Sequence, residues 1–179
     1  MTNVHIEEFE TSLSAFDIYK LFHNKEYSVF LDSSMDRLRL GRYSIIGIDP
    51  FIRIESKKDI IHIWENGLLK TISGNPFKLL KELLSRFQIK NNTKLPFVGG
   101  AIGFLSYDLC HYVERLPQTS MDDLGLADMI FGFYDIAIVF DHLKNKTYIT
   151  SVNLSCSYEN ATQSKVEDIK NKKSRDRGF

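Results

Sequence analysis

An apolar run interrupted by three glycines constrains this chain more than any other feature. It reads Pro96-Phe97-Val98-Gly99-Gly100-Ala101-Ile102-Gly103-Phe104-Leu105-Ser106-Tyr107-Asp108-Leu109. Without its glycines the run is a buried strand. Glycine inside a strand forfeits packing and costs conformational entropy, so its presence here predicts a bulge or a backbone approached too closely for a side chain. A helix-like segment follows through Tyr112, Glu114 and Arg115 and stops at Pro117. The spacing is G-G-x-x-G rather than G-x-G-x-x-G, and no lysine follows as in a P-loop, so a phosphate cradle is a weak reading.

The rest of the chain is punctuated into hairpins. Ser14 to His23 reads as a short helix with a serine cap and Phe16, Ile18, Leu21 and Phe22 on one side. Tyr27 to Leu31 is a short apolar strand ending in Asp32-Ser33-Ser34. Arg42 to Ile48 is a second, closed by Asp49-Pro50, and Phe51 to Glu55 alternates as a half-buried strand does. Ile60 to Glu65 and Leu68 to Ile72 flank Asn66-Gly67, the dipeptide that tolerates the positive φ of a type I′ turn. Gly74-Asn75-Pro76 opens a helix, with Asn75 as cap and Phe77, Leu80, Leu84 and Phe87 as the inward stripe. Met129 to Phe140 reads as one long apolar strand that turns at Asp141 to Lys146 into Thr147 to Leu154. From Ser157 onward a polar helix with Val166 and Ile169 runs into a basic tail.

About eight strands and three or four helices, with hairpins dominant and strand–helix–strand alternation scarce, predict an α+β fold of mainly antiparallel sheet. The 179 residues, 43% of them hydrophobic, suit one domain with a real core. Twenty-three basic residues balance 23 acidic ones, which leaves no general field to steer nucleic acid or an anionic membrane. No stretch approaches the roughly 18 apolar residues of a membrane span. Cys110 and Cys156 stand apart from each other, as neither a metal pair nor a disulfide framework, which suits a reduced cytosolic protein.

Chemistry-bearing patterns are few. His5, His23, His62, His111 and His142 occupy five different contexts, and none has metal-ligand spacing. Asp122-Asp123 reads as a loop. Asp135, in an apolar run, is costly unless paired or set to tie down a loop through backbone hydrogen bonds. Asp32-Ser33 is more promising, because it emerges from a strand end close to where Arg42-Tyr43-Ser44 begins another. Together these offer a carboxylate for an ammonium and a guanidinium for a carboxylate, the two ends of one small zwitterion. The plainer alternative is turn chemistry at Asp32 and Ser33 with Tyr43 in the core.

Four ordered segments resemble one family. They are Phe30-Leu31-Asp32-Ser33-Ser34; Gly41-Arg42-Tyr43-Ser44-Ile45-Ile46-Gly47-Ile48-Asp49-Pro50; the glycine segment through Glu114-Arg115-Leu116-Pro117; and Leu126-Ala127-Asp128-Met129 with Gly132-Phe133-Tyr134-Asp135 and Phe140-Asp141-His142. In this order they are similar to the N-terminal region of the large subunit of chorismate-utilising synthases. That group comprises aminodeoxychorismate (para-aminobenzoate) synthase component I and anthranilate synthase component I. Asp128-Met129, Gly132-Phe133-Tyr134-Asp135 and Tyr107-Asp108-Leu109 look more like the aminodeoxychorismate branch.

The resemblance implies a non-catalytic domain over 1–155, with 156–179 leading toward a chorismate-binding domain outside this chain. That domain would carry the Mg²⁺-binding glutamates and the chemistry, so this chain itself would bind no cofactor. The implied partners are the catalytic domain and a glutamine amidotransferase subunit that supplies ammonia. By position, Asp32 and Ser33 match the acidic residue and serine that help hold feedback tryptophan in the anthranilate branch. Ser33, Arg42, Tyr43 and Ser44 would line that pocket, and Asp32 in place of glutamate shortens the reach by one methylene. A free-standing amino-acid-sensing module built on the same corner is the alternative that the residues leave open.

Overall fold

Antiparallel pairing of short apolar strands organises the computed structural model, which describes residues 3–33, 41–117, 122–153, 167, 169 and 171. Its strands are β1 (Asn3–Glu8), β2 (Val29–Leu31), β3 (Tyr43–Gly47), β4 (Ile52–Lys57), β5 (Ile60–Glu65), β6 (Leu68–Ser73), β7 (Gly100–Leu105), β8 (Met129–Tyr134), β9 (Ile136–Asp141) and β10 (Lys146–Asn153). Among the described residues, the α-helices α1 (Ala15–Lys20) and α2 (Pro76–Arg86) and a 3-10 helix at Tyr107–Tyr112 accompany them, and Glu167, Ile169 and Asn171 are helical. The strands form two five-stranded sheets, ordered β1-β10-β9-β3-β2 and β6-β5-β4-β8-β7. The α+β expectation, with hairpin-built antiparallel sheets, is borne out. No helix among the described residues is long and apolar enough to cross a membrane.

Two compact units interleave along the chain. Met1–Pro50, Ile89–Gly100 and Tyr134–Phe179 make the first, and Phe51–Gln88 with Ala101–Phe133 the second. In the first unit α1 covers its sheet. Ser14 caps it, accepting from the Asp17 backbone N–H at 3.1 Å, while Asp17 reaches back toward the Ser14 N–H. Lys20 and the Ser14 hydroxyl hold the exposed Asp17 carboxyl down at about 2. Ile18 and Phe22 then pack with Ile46, Ile138, Phe140, Ile149 and Ile169.

The second unit centres on Ile52, Ile54, Leu80, Leu83, Leu109, Met129 and Phe133. Its Asn66-Gly67 turn has φ 54° and 75°, the left-handed pair that the hairpin reading requires. On α2, Asn75 caps by accepting from the Phe77 and Lys78 N–H groups, as expected. The stripe differs by one position: Leu83 is buried and Leu84 is 47% exposed. Pro76, Leu80 and Leu83 fall at i, i+4 and i+7 on one helix face, and the next residue turns off it.

Two strands differ from their sequence reading. Met129 to Phe140 is not one strand but β8 and β9, which belong to different sheets. Asp135 lies between them, and its backbone carbonyl accepts from the Val152 N–H at 2.8 Å. An apolar run buried on both faces carries no periodicity to reveal such a break. The glycine run, expected as a buried strand, is instead the edge strand β7, with Ile102 buried but Phe104 and Leu105 both 48% exposed. The close-approach reading of its glycines is correct at Gly103, where a Cβ would overlap the Ile130 carbonyl oxygen and lie 2.6 Å from Phe131 Cγ. Most of the helix and tail expected after Ser157 lies outside the described residues.

Candidate functional site

The corner anticipated from sequence forms in the first unit, where β2 pairs antiparallel with β3 and β3 with β9. That register carries Asp32, just past β2, to the start of β3. It also brings up Asp141 and His142 from the end of β9, with the His142 N–H donating to the Arg42 carbonyl. Asp32, Arg42, Tyr43 and Ser44 therefore share one sheet end, and Ser33 is half-buried beside Asp32.

Strand alternation splits the set, because Tyr43 and Ser44 are consecutive residues of an extended strand and point to opposite faces. On one side, Arg42 forms a two-pronged ion pair with Asp141, Nε to Oδ1 at 3.0 Å and Nη2 to Oδ2 at 2.7 Å. Its guanidinium also stacks 4.7 Å from the Tyr43 ring centroid. Hydrogen bonding from Arg42 holds the buried Asp141 carboxyl below the usual carboxylate range, and Asp141 in turn raises Arg42. Burial, reinforced by the Asp141 charge, pushes the Tyr43 phenol up. A guanidinium carries five N–H donors, and Asp141 occupies two of them. The remainder, on a side chain 32% exposed, is what a ligand carboxylate would meet.

On the other side, the fully buried Ser44 hydroxyl donates to Asp32 Oδ1 at 2.8 Å and lies 2.7 Å from His142 Nε2. A hydroxyl has one proton, and here the carboxylate takes it, so His142 must donate its Nε2–H to Ser44 Oγ. A serine nucleophile requires the reverse polarity, with the imidazole accepting the hydroxyl proton. These three side chains thus make a fixed hydrogen-bonded chain that presents Asp32, not an activated nucleophile. Sequence reading missed Asp141 and His142 as members of the corner. Their only signal was the Phe140-Asp141-His142 segment, and a partner 99 positions from Arg42 leaves no local trace.

A second polar cluster lies in the second unit, around a cavity of about 800 Å³ lined by residues that include Lys57, Ser106, Asp108, His111 and Tyr112. Lys57 bonds Asp122 at 2.6 Å, Asp128 at 3.3 Å and the Leu126 carbonyl, while the Lys58 N–H donates to Asp128. Lys57 lowers Asp122, and Asp122 first, with Asp128, raises Lys57. Lys57, Asp122 and Asp128 pair among themselves and tie the 122–128 segment to the end of β4. Among the described residues no three His, Cys, Asp or Glu side chains are grouped to hold a metal ion.

Compared with known proteins, the chain is 37% identical over 166 residues to anthranilate synthase component 1 of Acetivibrio thermocellus, a match covering 91% of this chain and 33% of that one. It is 35% identical over 136 residues to aminodeoxychorismate synthase component 1 of Bacillus subtilis, covering 75% and 28%. Its fold matches the crystal structure of anthranilate synthase component I from Streptococcus pneumoniae with a TM-score of 0.62 at 28% identity, over 89% of this chain and 34% of that one. No protein-family model matches. The chain spans about a third of the length of the curated relatives it matches. Its ordered motifs, its two antiparallel sheets and these likenesses make it a member of the component I family of chorismate-utilising synthases, which includes anthranilate and aminodeoxychorismate synthases.

Proposed function

We propose that this chain is the non-catalytic N-terminal part of a cytoplasmic aminodeoxychorismate synthase component I, which makes 4-amino-4-deoxychorismate for folate biosynthesis. In that reading, chorismate and Mg²⁺ are held by the remainder of the subunit, and a glutamine amidotransferase supplies ammonia. The observation that carries it is the likeness to component I proteins at 35–37% identity together with a length about a third of theirs. The aminodeoxychorismate branch is proposed on the resemblance of Asp128-Met129, Gly132-Phe133-Tyr134-Asp135 and Tyr107-Asp108-Leu109 to that branch. The 37% identity to an anthranilate synthase supports a second reading, the tryptophan branch. Deleting the coding sequence in its host separates the two. The leading reading expects growth to require para-aminobenzoate and not tryptophan; a tryptophan requirement selects the second reading, and unimpaired growth removes both.

Under either branch the Asp32 corner is proposed to hold an amino acid, tryptophan in the first instance. Because the two faces meet at the sheet end, the amino acid would lie across that end. Asp32 and Ser33 would meet its ammonium from the Ser44 face, with Ser44 fixing Asp32, and Arg42 its carboxylate and Tyr43 its apolar part from the opposite face. Asp32→Asn keeps an acceptor for the Ser44 hydroxyl and removes only the charge. In calorimetric titration with tryptophan it is expected to weaken binding about tenfold, the worth of one charged hydrogen bond, while the melting temperature stays put. No heat from the unaltered chain, or equal affinity in the variant, would sink this assignment.

A further inference from the structure

Of the four edge strands in the two sheets, three carry features that discourage pairing with another strand. β1 bears Glu7 and Glu8, β2 is only three residues long, and β6 has Lys70 near its middle. β7 has no such protection. Its six residues, Gly-Ala-Ile-Gly-Phe-Leu, include no charge and no proline. Exposed apolar side chains continue from it, with Phe104 and Leu105 followed by Tyr107 at 84% and Val113 at 73%. The segment tied beside Ser106, whose N–H donates to the Asp128 carbonyl at 2.7 Å, adds Leu124 at 73% and Leu126 at 65%. Exposed apolar area gathered in this way marks an interaction surface.

We infer that the β7 edge is completed by a strand from the remaining two thirds of a component I subunit, added to the sheet through main-chain hydrogen bonds. The inference rests on the component I reading. The length argues for this occupant: the chain matches 33%, 28% and 34% of the three relatives described above, so a subunit of that size holds roughly a further two thirds that must pack somewhere. The chemistry argues for the mode. Among the described residues no strand lies on the outer side of β7, and an uncharged edge with flanking apolar side chains recognises another extended, uncharged segment by strand addition. The incoming strand should set apolar residues beside Phe104 and carry no charge opposite β7.

Hydrogen exchange tests this on the chain alone and on a full-length chimera in which the chain replaces the aligned third of the Acetivibrio thermocellus relative. Amides of 100–105 are expected to exchange at least about tenfold more slowly in the chimera, while those of 68–73 on β6 do not change. Phe104→Lys should leave the melting temperature of the chain alone unaltered, since that ring is half exposed, and lower that of the chimera. Equal exchange at 100–105 in both proteins, or an insoluble chimera, overturns the inference. So does slowing in the chain alone that grows with concentration and vanishes in Phe104→Lys, because the occupant would then be a second copy. The host-deletion phenotype is independent of all these outcomes and continues to judge the component I reading by itself.

Discussion

Gly103→Ala is expected to destabilise the second unit by about 3 kcal/mol or more, the upper range for forcing atoms into a filled site. The added methyl would overlap the Ile130 carbonyl oxygen and sit 2.6 and 2.7 Å from Phe131 Cγ and Cα. Two of those three atoms are backbone, so relief requires β7 to move away from β8 rather than a rotamer to change. Gly67→Ala is the instructive contrast. A Cβ there meets nothing within 4 Å, and only the positive φ of 75° penalises it. Conformation alone is worth about 1 kcal/mol. Urea unfolding of both variants measures the difference. If Gly103→Ala costs no more than Gly67→Ala, the close approach of β7 and β8 is not what the glycine provides.

Phe133→Ala should cost about 3–5 kcal/mol, as large-to-small changes at well-packed aromatic sites do. Phe133 is 1% exposed and lies 6.4 Å from the Phe51 ring and 6.0 Å from the Phe87 ring, centroid to centroid. It thereby joins β8, the start of β4 and the end of α2, and no neighbour can collapse into its place without dragging an element along. Trp64, the single tryptophan, sits on β5 under the Arg53 guanidinium, so its fluorescence reports on this unit. Phe104→Ala, at a half-exposed ring, should cost a small fraction as much. Comparable losses at the two positions would contradict the burial of Phe133.

Features written in neighbouring residues were legible before any coordinates. Ser14 with Asp17, Asn75 with Pro76, and Asn66-Gly67 each carry their geometry within four positions, and each forms the cap or turn expected of it. The break at Asp135 was not legible, because β8 and β9 are apolar on both faces and only their partners in different sheets distinguish them. Leu83 and Leu84 are chemically identical, and a helix rotation of about 100° decides between them. The corner was half legible. Strand-end position flagged Asp32 and Arg42, but the pairing of Arg42 with Asp141 depends on β9 lying beside β3. The alternation that separates Tyr43 from Ser44 was available in principle once β3 was drawn as a strand.

The order in which the strands leave the ribosome follows from the interleaving. The second unit is drawn from within 51–133, where β4, β5 and β6 pair with near neighbours and only the β4–β8 pairing, Ile52 with Phe133, waits for the end of the stretch. The first sheet cannot close early: Asn3 pairs with Asn153, so β1 has no native partner until β10 has been synthesised. Contacts of such sequence separation are slow to form. During that wait β1 is an unpaired strand, the kind of species that misassembles between chains. Its Glu7 and Glu8 repel copies of themselves across any such pairing, and Glu8 later accepts Lys146 at 2.7 Å when the native ladder forms. The same carboxylate thus guards the nascent chain before it fastens the finished sheet.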